Sequence, residues 1–538
     1  MKSTVKSTGL RYWMLRVLEE CDKVEADFKA DPVHDLRVAL RRCRSMADGM
    51  IAMDPDHHWK AMKKGGRALF QSLGALRDVQ IMMEWIEKLN LAAISSLEQG
   101  LAEPGSNEVA PAPGSVEIPP APVQSPTQML MRILEARETE EKRKARTALE
   151  GFDRKQWRQW STLLPRRAGR ARPGSTLFKH LALERWTAAR ELHRLALRNR
   201  SQVAFHTLRI GIKRFRYIVE NFLPVEHAAW SNDLKHMQDL LGEVHDLDVL
   251  WATAQSCHIF ADESTRQRWH ERITEERTKR IEEYRASTVG TGSLWSVWRA
   301  GLPQGRQIQE IATRRMKLWA RALDPDFAHS ERVARLALQL YDGLTRAGLL
   351  GAALSGGVSN GNGERASLYV AALLHDVGKA AGKKGHHKES HELIKQHGTP
   401  LGWSESDMRR AGLVARFHAG AMPLSGHKAL RDLLPDEQKV ILRLAAVLRL
   451  ANALDCKHDG LIRRVEIENV KGWPKTETRT NGFQRKPVAL AKDEALVLAA
   501  DGYMDNTETA QTVAAERYLL ETVLRRPVIV RPAKGGSR

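Results

Sequence analysis

Apolar positions recur three and four residues apart along most of the chain, the spacing that keeps side chains on one face of an α-helix. The pattern predicts an amphipathic helix over 10–28. A second helix starts at Asp31-Pro32 and runs through a strongly basic stretch, and one or two more lie between Trp59 and Leu89. Residues 127–160 read as helical and highly charged, and 178–197 open a further helical run that ends near 287. Strand-like patterning is confined to the far end, at 464–467, 495–499 and 527–530, around a helix over 507–524.

Several stretches interrupt this pattern. Residues 103–126 are rich in Pro, Ala, Gly and Ser with no apolar period, which reads as an extended surface insertion. The run 165–174 reads as a basic, turn-rich loop. The glycines of 290–305 suggest the main domain boundary, and 355–363 reads as a Gly, Ser and Asn loop.

One stretch occurs twice. Val33-His34-Asp35-Leu36-Arg37-Val38-Ala39-Leu40-Arg41-Arg42-Cys43-Arg44 recurs as Phe205-His206-Thr207-Leu208-Arg209-Ile210-Gly211-Ile212-Lys213-Arg214-Phe215-Arg216. On a helix, His34, Arg37, Arg41 and Arg44 form one polar stripe, and so do His206, Arg209, Lys213 and Arg216. Leu36, Leu40 and Cys43, or Leu208, Ile212 and Phe215, face the other way. Further on, Leu73-Gly74-Ala75-Leu76-Arg77-Asp78 recurs as Leu241-Gly242-Glu243-Val244-His245-Asp246, and Arg67 recurs as Lys235. Like charges one turn apart cost an isolated helix about 0.2–0.5 kcal/mol per pair. An anion held between two such stripes would offset that cost; the alternative is a solvated charged face.

Charge sharpens this picture. The 538 residues carry a formal charge of +20, which calls for a polyanionic partner such as polyphosphate, nucleic acid or an anionic membrane surface. Within 151–216 there are roughly 17 Lys and Arg against about 3 acidic residues. Aromatic residues are 6%, and no helix-turn-helix or single-strand stacking motif is present, which argues against specific nucleic-acid binding. The four cysteines form no C-x-x-C pair, residues 1–11 lack the apolar run expected of a signal peptide, and no apolar run reaches membrane-spanning length. A cytoplasmic protein without a membrane partner is the expectation.

In both halves, residues 5–290 resemble a CHAD domain, on the strength of the duplicated His-x-x-Arg-x-x-x-basic-x-x-Arg stripe. The resemblance implies a duplicated helical bundle with a basic cleft that binds inorganic polyphosphate, and association with polyphosphate granules. Carried over by motif, the ligand residues would be His34, Arg37, Arg41, Arg44, His206, Arg209, Lys213 and Arg216, with Arg67 and Lys235.

A second constellation follows Asp324. His329 opens an apolar-periodic helix, and His375-Asp376 follows Ala371-Ala372-Leu373-Leu374 and precedes Val377-Gly378-Lys379. His386-His387-x-x-x-His391, Arg416-Phe417-His418 and Leu448-Arg449-Leu450-Ala451-Asn452-Ala453-Leu454-Asp455 complete it. Imidazoles and carboxylates of this kind suit a divalent metal such as Mn, Fe or Mg. A solvent-facing role suffices for His386 and His387. Lys379, one turn past His375, could steady a phosphoryl oxygen or be simply solvated.

The segment from about 315 on resembles an HD domain, more narrowly the HD-like module of exopolyphosphatase/guanosine pentaphosphatase (Ppx/GppA) proteins, with an all-α part at 315–460 and a small α+β extension at 461–538. The resemblance implies His329, His375 and Asp376 as metal ligands, with His391 and His418 as further ones. The late ligand falls on Asn452, where the family has Asp, with Asp455 close by. The actin-like domain that carries exopolyphosphatase catalysis has no counterpart, so that activity is not expected. The expected fold is mainly α: a duplicated helical-bundle CHAD domain, then an all-α HD-like domain with a small α+β end. The expected function is polyphosphate binding joined to an HD-type module able to hydrolyse a phosphate ester or anhydride. The alternative is an active phosphohydrolase on a nucleotide or phosphoanhydride that the CHAD domain only targets.

Overall fold

The computed structural model describes residues 9–26, 28–89, 125–350, 361–382, 384–424, 426–468 and 495–533. Most of the Pro-rich 103–126 stretch and of the 355–363 loop lies outside these. The chain divides into two compact units, Met1–Ala52 with Asp56–Gly305, and Arg306–Arg538 with Met53–Pro55. Among the described residues no helix is long and apolar enough to cross a membrane.

In the first unit the helices are α1 (Leu10–Ala26), α2 (Ala30–Ile51), α3 (His57–Gly65), α4 (Arg67–Lys88), α5 (Pro126–Glu150), α6 (Arg154–Ala168), α7 (Thr176–Asn199), α8 (Gln202–Phe222), α9 (Pro224–Ser256), α10 (Glu263–Thr288) and α11 (Leu294–Ala300). Local signals start several of them. Ser125 and Gln128 form a capping box ahead of Pro126, Ser201 caps α8, and Asp262 caps α10. Helix α1 packs on α2, and α7 packs on α8. One core joins α4, α5, α9 and α10 through Trp85, Leu130, Leu134, Leu247, Leu250 and Trp269.

Two interruptions read from the sequence turn out to be structured. Helix α6 continues through Pro165 to Ala168, so the predicted 165–174 loop is helical in its first part. Trp157, Trp160 and Leu164 are buried, and that packing outweighs the helix-breaking preference of one proline. The glycine-bearing stretch 290–305 contains α11, whose Trp295 and Trp298 are buried against Trp186 and Phe215.

The second unit contains α12 (Gln307–Leu323), α13 (Phe327–Arg346), α14 (Gly361–Leu374), a 3-10 turn (Val377–Ala381), α15 (His386–His397), α16 (Glu405–Arg416), α17 (Pro435–Leu454), α18 (Glu508–Glu516) and α19 (Tyr518–Leu524). The predicted 507–524 helix is broken at Arg517 into these last two. A three-stranded sheet has β1 (Arg464–Ile467) antiparallel to β2 (Leu496–Asp501), and β2 parallel to β3 (Val528–Pro532). Val465, Leu498 and Val528 share one hydrophobic cluster with α13, α14 and α17. The protein is therefore mainly α with a small C-terminal strand layer.

Candidate functional site

Helices α2 and α8 lie side by side and point the same way. Arg42 ion-pairs with Glu220, Asn221 Nδ2 donates to Ser45 Oγ at 2.8 Å, and Arg41 lies over the Tyr217 ring. Gly49 sits so close to Phe222 that a Cβ would fall 2.3 Å from the ring. Leu36, Leu40, Cys43, Leu208, Ile212 and Phe215 are fully buried. Their opposite faces bring the two basic stripes together. The charges of Arg209, Arg41 and Arg37 all act on Lys213; with burial as the larger cause, they push its ammonium down to about 7. The Nε–H groups of Arg41 and Arg209 are buried and find no acceptor among the described residues.

The other stripe residues are placed differently. His34 is exposed on α2. Arg44 donates to the Lys63 carbonyl at 2.7 Å and lies over Phe70, with Arg67 nearby at the start of α4. Arg216 lies 3.9 Å from Glu220. Lys235 is exposed on α9. The stripes thus converge on Arg37, Arg41, Arg209 and Lys213, with the rest flanking them.

Three side chains in this cluster were not among the sequence candidates. His245 faces His206, Nδ1 to Nδ1 at 3.3 Å, and burial with Arg209, His206 and Lys213 pushes it down to about 4. Asp78 approaches Arg37 at 4.0 Å. Burial raises Asp246 to about 6 against the pull of Arg209 and Lys213. The repeated Arg/His-Asp dipeptide was the signal that could have found them.

In the second unit, Asp326 caps α13 at His329, and His375-Asp376 lie where α14 gives way to the 3-10 turn. Gly378 lets α15 approach that turn; a Cβ there would fall 2.3 Å from the His386 carbonyl and 2.6 Å from the Ser390 nitrogen. Ser390 Oγ donates to the His375 carbonyl at 2.7 Å and accepts from Gly378 N–H at 2.9 Å.

Asp376 lies between two sets of imidazoles. Its Oδ2 is 3.3 Å from His375 Nε2 and 3.8 Å from His329 Nε2. Its Oδ1 is 3.3 Å from His386 Nε2 and 3.6 Å from His418 Nε2. Burial pushes the Asp376 carboxyl up, and the imidazoles of His375, His386 and His418 more than reverse that, leaving it well below the usual carboxylate range. Lys379 ion-pairs with Asp376.

The donor set fits a metal. His375 Nδ1 donates to the Ala372 carbonyl, His418 Nδ1 to the Ala415 carbonyl and His329 Nδ1 to Asp455, each at 2.7 Å. These bonds leave the Nε2 atoms without a proton and on the side of each ring nearer Asp376, with His418 Nε2 also 3.1 Å from His386 Nε2. His375 Nε2 and Asp376 Oδ1 are buried with no hydrogen-bond partner among the described residues. Two groups could each hold an ion: His329, His375 and Asp376, and Asp376, His386 and His418. Asn452 Oδ1 lies 3.0 Å from His329 Nε2 and so faces the first group.

Two sequence candidates fall outside the cluster. His391 turns its Nδ1 toward Gly412 of α16. Asp455 meets His329 at its Nδ1, on the far side of the ring from Asp376, and also accepts from Arg332 Nε at 2.9 Å. His386, for which a solvent-facing role sufficed, lies inward, 3.3 Å from Asp376 Oδ1. Its place at the first residue of α15, against the Gly378 turn, decides this.

Residues 14–255 match the family model of the CHAD domain. Residues 311–486 match that of the Ppx/GppA phosphatase, domain III. No curated protein matches the chain.

Proposed function

We propose that the chain binds inorganic polyphosphate through a duplicated CHAD bundle and carries an HD-type, divalent-metal-dependent phosphohydrolase module. The observation that carries the first part is the convergence of Arg37, Arg41, Arg209 and Lys213, with the buried Arg41 and Arg209 Nε–H groups lacking acceptors among the described residues. Linear polyphosphate offers a row of charged oxygens to such donors, and Arg engages two at a time. The packing of α1 on α2 and of α7 on α8 supports a duplication.

The cluster also makes binding depend on pH. A bound polyanion favours the Lys213 ammonium and raises its pKa from about 7. Binding near pH 7.5 therefore takes up protons. Protonation of Asp246 below about 6 removes a negative charge from the cleft and acts in the same direction. Polyphosphate affinity is expected to rise as pH falls from 8 to 6. Calorimetry in buffers of different ionisation enthalpy measures the uptake; release of protons on binding would contradict it.

For the second unit, a bound divalent ion would polarise a phosphoryl oxygen and bring the pKa of a bound water to about 7. His329, His375, Asp376, His386, His418 and the Asn452 carbonyl would hold it, and this imidazole-rich set suits iron better than magnesium. Asp455 keeps the His329 lone pair inward, and Lys379 at the rim would steady a phosphoryl oxygen. The neutral Asn452 lowers the charge of the first group. Asn452→Asp is expected to tighten metal binding roughly tenfold, since affinity follows ligand charge; unchanged metal content would place position 452 outside the coordination sphere.

The buried His375 Nε2 and Asp376 Oδ1, without a hydrogen-bond partner among the described residues, support a second reading, an active hydrolase on a nucleotide or phosphoanhydride that the CHAD domain only targets to polyphosphate. Assaying the metal-loaded protein on polyphosphate and on nucleotides separates the two. Turnover that survives chelation and His375→Ala would remove metal hydrolysis from both.

A further inference from the structure

Arg449 lies within the most apolar stretch of α17, between Leu448 and Leu450, and is 4% exposed. A buried guanidinium is costly unless its donors are used. Its partners come from outside α17. Nη1 donates to the Phe417 carbonyl at 3.1 Å, and both Nη1 and Nη2 reach the Gly420 carbonyl at 3.3 Å. Nε donates to Glu516 Oε2 at 2.6 Å.

The two carbonyls bracket His418. Helix α16 ends at Arg416, so the chain that presents His418 is the turn just past a helix end, where carbonyls lack helical partners. The turn needs Gly420, which has φ of +73° and whose Cβ would meet His387 Nε2 at 2.9 Å. The planar Arg fork holds both sides of this turn at once, which a lysine cannot do. Glu516 ends α18, in the C-terminal layer, and that layer is anchored by the buried Val513, Leu519 and Leu520.

We infer that Arg449 and Glu516 are positioning residues for the Asp376–His386–His418 ligand group, and that the C-terminal α+β layer sets the metal affinity of that group through them. Arg449 fixes the turn, the turn fixes the His418 imidazole, and Glu516 neutralises and orients Arg449. The inference rests on the metal reading above.

The test uses the full-length protein, freed of metal and titrated with Co2+, following the visible absorption of bound cobalt and the metal content at equilibrium. Arg449→Met is expected to weaken cobalt binding about 10- to 100-fold, the usual effect of losing a partner that orients a ligand. Arg449→Lys should restore part of that loss, and Glu516→Gln should weaken binding by a smaller factor. Combined with His418→Ala, Arg449→Met should add nothing, because both act on one ligand. A purely structural arginine would lower thermal stability and leave cobalt affinity and its absorption unchanged. That result, or full additivity with His418→Ala, overturns the inference while leaving the metal reading intact. Failure of the unsubstituted protein to bind cobalt overturns the metal reading instead. Should Arg449→Met not fold, Glu516→Gln decides alone, and unchanged cobalt affinity in it overturns the inference.

Discussion

Replacing Arg37 and Arg209 together by Glu is expected to weaken polyphosphate binding by about 100-fold or more. Each is a charged donor in the cluster around Lys213. A hydrogen bond to a charged group contributes roughly 1.5–3 kcal/mol, and about 1.4 kcal/mol is a factor of ten. Losing two such contacts therefore accounts for about two decades or more, before the repulsion of the new carboxylates is added. The control is reversal of Arg170 and Arg172, in the turn after α6, which should change affinity far less. Both variants are to be titrated with long-chain polyphosphate and with duplex DNA at two salt concentrations. Polyphosphate affinity should fall steeply with salt, as for other polyanions that release counterions. Equal binding of DNA, or an intact polyphosphate affinity in the double reversal, would leave the stripes as ordinary solvated faces.

Asp376→Ala is expected to remove bound metal from the second unit by about two orders of magnitude in affinity, more than any other single ligand change. Its two oxygens serve both ligand groups, and it is the one carboxylate in either of them. His386→Ala should cost less, because His329, His375 and Asp376 remain. Metal content after equilibrium dialysis measures both. Polyphosphate binding by the Arg37–Lys213 cluster should be unchanged in Asp376→Ala, since Asp376 is no part of it. A substituted protein that keeps its metal would place the ion elsewhere.

Much of the architecture is a local property and can be read from residue spacing. Three- and four-residue periods put Leu36, Leu40 and Cys43 on one face and Arg37, Arg41 and Arg44 on the other. The duplicated stripe and the late appearance of strand patterning are likewise carried by order along the chain. Spacing also tells which side chains share a face of one helix, but His329 and His375-Asp376 sit on different helices, and it was the resemblance to HD domains that grouped them.

Tertiary structure decided the rest, because the deciding contacts lie between elements. His386 and His391 are five residues apart and so point to different faces of α15; only the approach of α15 to the Gly378 turn makes His386 the inward one. Asn452, in the last turn of α17, and Asp455, just past its end, both meet His329, at Nε2 and Nδ1 respectively. Their spacing cannot say which meets Nε2 and which meets Nδ1; that follows from how α13 and α17 cross. The same holds for α11, where packing of Trp295 and Trp298 overrides the glycines around them. The reach of Asp78 and Asp246 into the basic cluster depends on where α4 and α9 lie against α2 and α8, a packing relation between helices that no helical period encodes.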